Sequence, residues 1–263
     1  GRRWDHRRIR DARVKPSPTD FDMRVGLLVC DHVSPDLVGV SGDYDVMFRR
    51  LLAGHPEVEL VVYDAVNGEI PLSPTECDAW LITGSRHSVN DEFNWIRRLE
   101  EFIRKTAAVG VPLVGVCFGH QLLAKSLGGT VVKAERGWGV GVKTVQLADG
   151  LGFVPDGVDS FRLINSHQDQ IERLPEGGKI IGWNEHCPVW AMTVGSSMLG
   201  IQGHPEMDLD FVRSLIELRR GTTIPCETAD DGIASLAMEP DTQLVVDLLI
   251  EFLGGNTVDS SRK

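Results

Sequence analysis

Three residues of this chain have the types and spacing for acyl chemistry: Cys117, His204 and Glu206. Cys117 sits in Gly115-Val116-Cys117-Phe118-Gly119, a Gly-x-nucleophile-x-Gly pattern that places a reactive side chain on a tight strand-to-helix elbow. Glycines are needed there because the elbow brings backbone against backbone, where a Cβ would clash. A cysteine at a helix N-terminus also meets the positive end of the dipole, which favours thiolate over thiol.

A thiol nucleophile needs a base, and the base needs an orienting acid. Gly203-His204-Pro205-Glu206 supplies both, with the histidine 87 residues beyond the cysteine. In an extended segment residues i and i+2 point the same way, so Glu206 can reach the ring of His204. Pro205 fixes φ between them. The other histidines compete less well. His120 lies on the elbow helix and reads as a packing or capping residue. His167, in Asn165-Ser166-His167-Gln168-Asp169-Gln170, reads as part of a polar loop suited to substrate contact. His32, His55, His87 and His186 have no attached constellation.

The elements that must position these groups can be read from periodicity. Val111–Val116 is an apolar, valine-rich run consistent with a buried strand, and the amphipathic run after Cys117 is a helix stopped by Gly128-Gly129. Upstream, strands are expected over Arg24–Cys30, Glu57–Tyr63 and Asp78–Thr83, the last ending at Gly84-Ser85. Helices are expected over Asp43–Leu52 and from an Asn94 cap to Gly110, where Trp95, Ile96, Leu99, Phe102 and Ile103 share one face. This β-α-β-β-α-β-α alternation predicts a mostly parallel sheet with helices on both faces. Ligands of such sheets gather outside the carboxyl ends of the strands, where Cys117 and Gly84-Ser85 both fall.

Downstream, short strands are expected over Thr130–Val132, Val140–Leu147, Phe161–Ile164, Lys179–Asn184, Val189–Val194 and Met198–Gln202. Their glycine and proline turns predict an antiparallel extension of the sheet. A helix carries Leu209, Val212, Leu215 and Ile216, Thr222–Met238 reads as an irregular excursion, and a last helix runs to Gly254-Gly255. The expected division is a basic extension over 1–22, one domain over 23–254 and a tail over 255–263.

Composition bounds the function. The chain has 263 residues, 42% of them hydrophobic and 25% charged, the balance of an ordinary globular protein. Its net charge of −11 hides an asymmetry. Residues 1–15 hold seven Lys/Arg against Asp5 and Asp11, leaving 20 basic and 36 acidic residues in the remainder. An acidic body argues against a nucleic-acid surface, and no apolar run is long enough to span a membrane. The basic arm is compatible with nucleic-acid binding or a transit peptide. The preferred reading is an upstream extension, because Met23 runs directly into the first strand. Five scattered cysteines with no C-x-x-C pair suggest neither a zinc site nor a disulfide framework, and a cytoplasmic location is expected. No P-loop is recognisable, and Gly137-x-Gly139-x-Gly141 has the wrong spacing for a dinucleotide loop. No cofactor, metal, nucleic acid or membrane partner is expected.

Gly-Val-Cys-Phe-Gly-His-Gln followed far downstream by His-Pro-Glu resembles the class I (triad) glutamine amidotransferase family over residues 24–254. The resemblance is to a stand-alone member of the GMP-synthase-glutaminase-like or γ-glutamyl peptidase-like kind. An α/β-hydrolase also uses Gly-x-nucleophile-x-Gly, but there the acid precedes the histidine. The resemblance implies a three-layer, flavodoxin-like α/β fold with a small antiparallel extension. It also implies that Cys117 attacks a γ-glutamyl amide to give a thioester, His204 shuttles the proton and Glu206 orients His204. Backbone N–H groups of Phe118 and Ser85 would hold the oxyanion. Gly84 would contact the substrate, and Gln121 with the Ser166-His167 backbone would hold its amino-acid end. Many members carry Gly-Gly-Pro where this chain has Gly84-Ser85-Arg86. Arg86, Asn90, Asp91 and the Gly137-Trp138-Gly139 loop are therefore expected to shape the pocket for another acceptor amine. The implied substrate is glutamine or a γ-glutamyl compound. A separate synthase fed with ammonia, and a catalytically silent regulatory member, are the alternatives.

Overall fold

The computed structural model describes residues 22–255, so the expectations for residues 1–21 and 256–263 fall outside it. The chain begins β1 (Met23–Leu28), α1 (Val38–Ser41), α2 (Tyr44–Leu51), β2 (Val58–Tyr63), β3 (Ala79–Ile82), α3 (Asn94–Val109), β4 (Leu113–Val116) and α4 (Phe118–Ser126). Seven strands follow: β5 (Thr130–Lys133), β6 (Gly139–Leu147), β7 (Ser160–His167), β8 (Asp169–Arg173), β9 (Gly178–Trp183), β10 (Ala191–Val194) and β11 (Met198–Ile201). Helices α5 (Leu209–Arg219), α6 (Cys226–Ser235) and α7 (Thr242–Leu253) close the chain.

Nine strands form one sheet in the order β2-β1-β3-β4-β11-β10-β9-β6-β7. The first five are parallel and follow the doubly wound order, while β10, β9, β6 and β7 extend the sheet antiparallel. Side chains alternate across β1 as a two-residue period requires. Val25 and Leu27 enter a core with α2, α5 and α7, whereas Leu28 enters a core with α3 and α4. Gly26 lies beneath the Trp80 ring, which would overlap any Cβ at that position.

Four expectations are corrected. The cap of α3 is Phe93, not Asn94: its backbone is extended (φ −76°, ψ 140°), its carbonyl accepts from Arg97, and its ring packs edge-on against His87 at 5.0 Å. Thr130–Val132 does not extend the main sheet. It pairs with β8 in a separate two-stranded sheet whose Val131 and Ile171 cover Leu122 and Leu123 of α4. Asn165-Ser166-His167 is no loop but the end of β7, paired to β6 from Gly139↔His167 onward. Thr222–Met238 contains a helix, α6, held where Gly232 lets it approach Val140 and where Ser235 Oγ accepts from the Val142 amide at 2.9 Å.

Candidate active site

Strand register assembles the site. In the parallel pairing of β4 with β11, Val116 lies opposite Ile201, and β3 places Ile82 opposite Gly115. The three strands therefore end at one level, and the residues after them, Cys117, Gln202–His204 and Thr83–Ser85, emerge together. The Cys117 amide donates to the Ile201 carbonyl at 2.8 Å, and the His204 amide donates to Ile164 on β7 at 2.8 Å. Residues far apart in sequence are thus fixed by backbone pairing alone.

Among the described residues Cys117 is the one non-glycine residue with positive φ, at 52° with ψ −101°. Such a conformation costs on the order of 1–3 kcal/mol and persists only where the surroundings impose it. The surroundings are close: a Cβ at Gly115 would run into the Gly119 carbonyl, and one at Gly119 would sit 2.6 Å from the Ile82 carbonyl. Both elbow glycines are required on steric grounds. Cys117 occupies the N-cap of α4, so the amides of the first turn point towards its side of the cleft without intrahelical acceptors.

His204 and Glu206 are both about 3% exposed, and His204 Nδ1 meets Glu206 Oε1 at 2.7 Å. Burial opposes charge on His204, but the Glu206 carboxylate and then Cys117 outweigh it and push the imidazole up to about 10. The Cys117 sulfur is near enough to exert that influence, yet it is not in hydrogen-bonding geometry. His204 Nε2 is buried without a partner, as is Glu206 Oε2. Gly84 packs against both side chains: a Cβ there would lie 2.9 Å from His204 Cε1 and 3.7 Å from Cys117 Cβ.

These groups open onto a cleft of about 570 Å³. Cys117, His204, Ser85, Gln121, Ser166 and His167 line it, whereas Gly84, Phe118 and Glu206 stand behind. The Gln121 amide is committed to the Asp169 carbonyl at 2.7 Å and Gln202 at 3.2 Å. Ser166 Oγ is buried without a partner. Burial, then the neighbouring His186, push His167 down to about 3, so it is a neutral ring whose Nδ1 contacts the Asp169 carbonyl at 3.2 Å. His120 lies outside the cleft and packs against Gly200, with Nε2 on the Val189 carbonyl at 3.1 Å.

The Gly84-Ser85-Arg86 turn has its own support. The Arg86 amide and guanidinium both donate to the buried Asp31 carboxylate, at 2.8 Å each for the amide and Nη2. A proline at position 86 would lack that N–H. Asn90 and Asp91 do not line the cleft; they tie the following loop, Asn90 to the Val131 carbonyl and Asp91 to the Ser88 amide. Arg86 and Trp138 do line it, as expected from sequence. Asp31, Tyr44 and Arg219 also line it and were not foreseen. Asp31 was findable, since it follows β1 at the carboxyl edge of the sheet. Arg219 carried no local signal.

Comparison with known proteins agrees with this architecture. Residues 45–212 match the family described as glutamine amidotransferase class-I, and the chain belongs to that family. It is 26% identical over 247 residues to a glutamine amidotransferase-like protein of Schizosaccharomyces pombe, covering 89% of this chain and 99% of that one. It is 28% identical over 203 residues to γ-glutamyl peptidase 2 of Arabidopsis thaliana, covering 74% and 81% respectively. One subunit of the glutamine-hydrolysing GMP synthase of Sulfolobus acidocaldarius is 33% identical over 133 residues, covering 50% and 69%. The crystal structure of a glutamine amidotransferase from Thermotoga maritima shares the fold, with a TM-score of 0.68 at 20% identity over 88% of this chain and 98% of that one.

Proposed function

We propose that the protein cleaves the γ-glutamyl amide bond of glutamine or a γ-glutamyl compound through a thioester on Cys117. The observation that carries this reading is the buried His204–Glu206 pair at 2.7 Å, whose free Nε2 faces the same cleft as the elbow cysteine. Cys117 Sγ attacks the δ-carbonyl carbon, and the thiol proton resides on His204. Negative charge on the carbonyl oxygen is held by the Phe118 and Ser85 amides, each such donor being worth ~3 kcal/mol. Collapse breaks the C–N bond as His204 Nε2 gives its proton to the leaving amine. Water, or an acceptor amine, then attacks the thioester, gives a proton to His204 and restores the thiol. Glu206 keeps Nδ1 protonated and Nε2 directed at the sulfur. The substrate is a small molecule, and neither a cofactor nor a metal enters these steps.

A second reading is a glutaminase subunit that delivers ammonia to a separate synthase. Similarity to one component of a GMP synthase favours it. Assay of the isolated chain separates the two. Steady release of amine from γ-glutamyl compounds, with a thioester trapped at Cys117, supports free-standing hydrolysis or transfer, whereas turnover only with added synthase sinks it. Cys117→Ser is expected to lower kcat by at least about a thousandfold without changing the circular dichroism. Full turnover by that variant would remove Cys117 from its role, and a catalytically silent member would show none in either form.

A further inference from the structure

The charged lining of the cleft is unevenly satisfied. Three strong cations reach it: Arg86, Lys133 and Arg219. Arg86 is held by Asp31 at 2.8 Å, and Lys133 contacts Asp169 at 3.3 Å. Arg219 has no carboxylate partner among the described residues. Its guanidinium instead lies over the Trp138 ring, 5.8 Å from the centroid. Burial lowers its affinity for the proton, and Tyr44, Cys117 and Asp31 compensate only through space.

A partly buried, unpaired guanidinium in an acidic protein carries a desolvation penalty that a nearby carboxylate would remove. The position of Arg219 at the carboxyl end of α5 and the Trp138 face hold the group, but neither neutralises it. Met207, Phe211, Leu215 and Arg219 follow one another at four-residue steps, and all four line the cleft. This wall begins directly after His204-Pro205-Glu206 and ends in the cation. In the proposed reaction His204 protonates the leaving amine, so the leaving portion lies along this wall. Gln121 on α4 and Ser166 and His167 on β7, which also line the cleft, are left for the glutamyl end.

We infer that Arg219, backed by Trp138, binds a carboxylate carried by the leaving portion of the substrate. The preferred substrate class is therefore a γ-glutamyl amino acid or peptide with a free carboxylate, not glutamine itself. This rests on the γ-glutamyl amide reading above.

The test compares γ-glutamylglycine with γ-glutamylglycinamide, which share the glutamyl carboxylate and differ only at the leaving end. Binding is measured calorimetrically to the full chain carrying Cys117→Ser, so that no turnover intervenes. The acid should bind at least about tenfold more tightly than the amide, the size of one charge-assisted contact. Adding Arg219→Gln should bring that ratio to within about twofold, and Arg219→Lys should restore part of it, with thermal unfolding recorded for each. Equal binding of acid and amide in the parent overturns the inference. So does binding of neither compound, or an equal loss for both ligands in Arg219→Gln, the mark of a structural role or of a contact with the shared glutamyl carboxylate. Hydrolysis with Cys117 intact is scored separately. Selective binding without turnover removes the proposed activity and leaves Arg219 in place; turnover without selectivity does the reverse.

Discussion

At the scale of single residues, the buried His204–Glu206 pair links the proposed mechanism to stability. Burial alone would discharge the imidazole, but the adjacent carboxylate and sulfur hold its proton to about 10, above the ordinary value of roughly 6.5. A group bound more tightly to its proton in the folded state stabilises that state fully below about 6.5, and the contribution is lost as pH rises through about 10. The stability of the protein relative to Glu206→Gln should therefore shrink between pH 6.5 and 10 in thermal scans. A difference that stays flat across that range would contradict the charged pair. In the proposed mechanism the same variant should lose at least about a hundredfold in kcat, since a misdirected imidazole cannot exchange protons with the sulfur.

At the scale of elements, the carboxyl ends of β1, β3, β4 and β11 deliver the groups that line the cleft, and short tethers hold the turns between them. Asp31, after β1, fixes the turn after β3 by binding Arg86 through main chain and side chain. In the proposed mechanism Asp31→Asn should loosen the Ser85 amide and lower kcat about tenfold while changing KM little, because an oxyanion donor matters most to the transition state. Steady-state kinetics would show it; a change in KM alone would argue that Asp31 serves binding. The elbow and His-Pro-Glu were legible in the sequence because each is a local pattern with a local steric cause. So were the buried strands and α3, whose periodicities are strong. Helix α6 was not, since Cys-Glu-Thr-Ala-Asp-Asp-Gly-Ile-Ala-Ser has few apolar residues and a glycine that weakens helix propensity. That helix exists because Gly232 and Ser235 fit against β6. The β5–β8 pairing and the Arg219–Trp138 contact join segments separated in sequence, so no window of the chain reveals them.

At the scale of the whole molecule, one nine-stranded sheet carries two apolar cores, with Trp80 in one and Trp190 in the other. Among the described residues no helix is long and apolar enough to cross a membrane. The charge is polarised along the chain, since seven cations lie in residues 1–15 and the remainder is strongly acidic. Any salt-sensitive retention on heparin or duplex DNA should therefore come from that arm. A chain beginning at Met23 should pass through such a column unretained at physiological salt, where an acidic surface repels a polyanion. Retention of the shortened chain would place a basic patch within the sheet domain.

The backbone of Cys117 carries a final implication. A side chain is held there at φ 52° although glycine alone adopts that region freely. Cys117→Gly should relieve on the order of 1 kcal/mol of strain and melt at a higher temperature than the parent, while being inert under the proposed mechanism. Heat resistance and turnover are then opposed at one position. On the proposed mechanism, selecting this protein for thermal endurance alone would enrich chains that have lost the attacking thiol, and the active form persists only where the reaction itself is under selection.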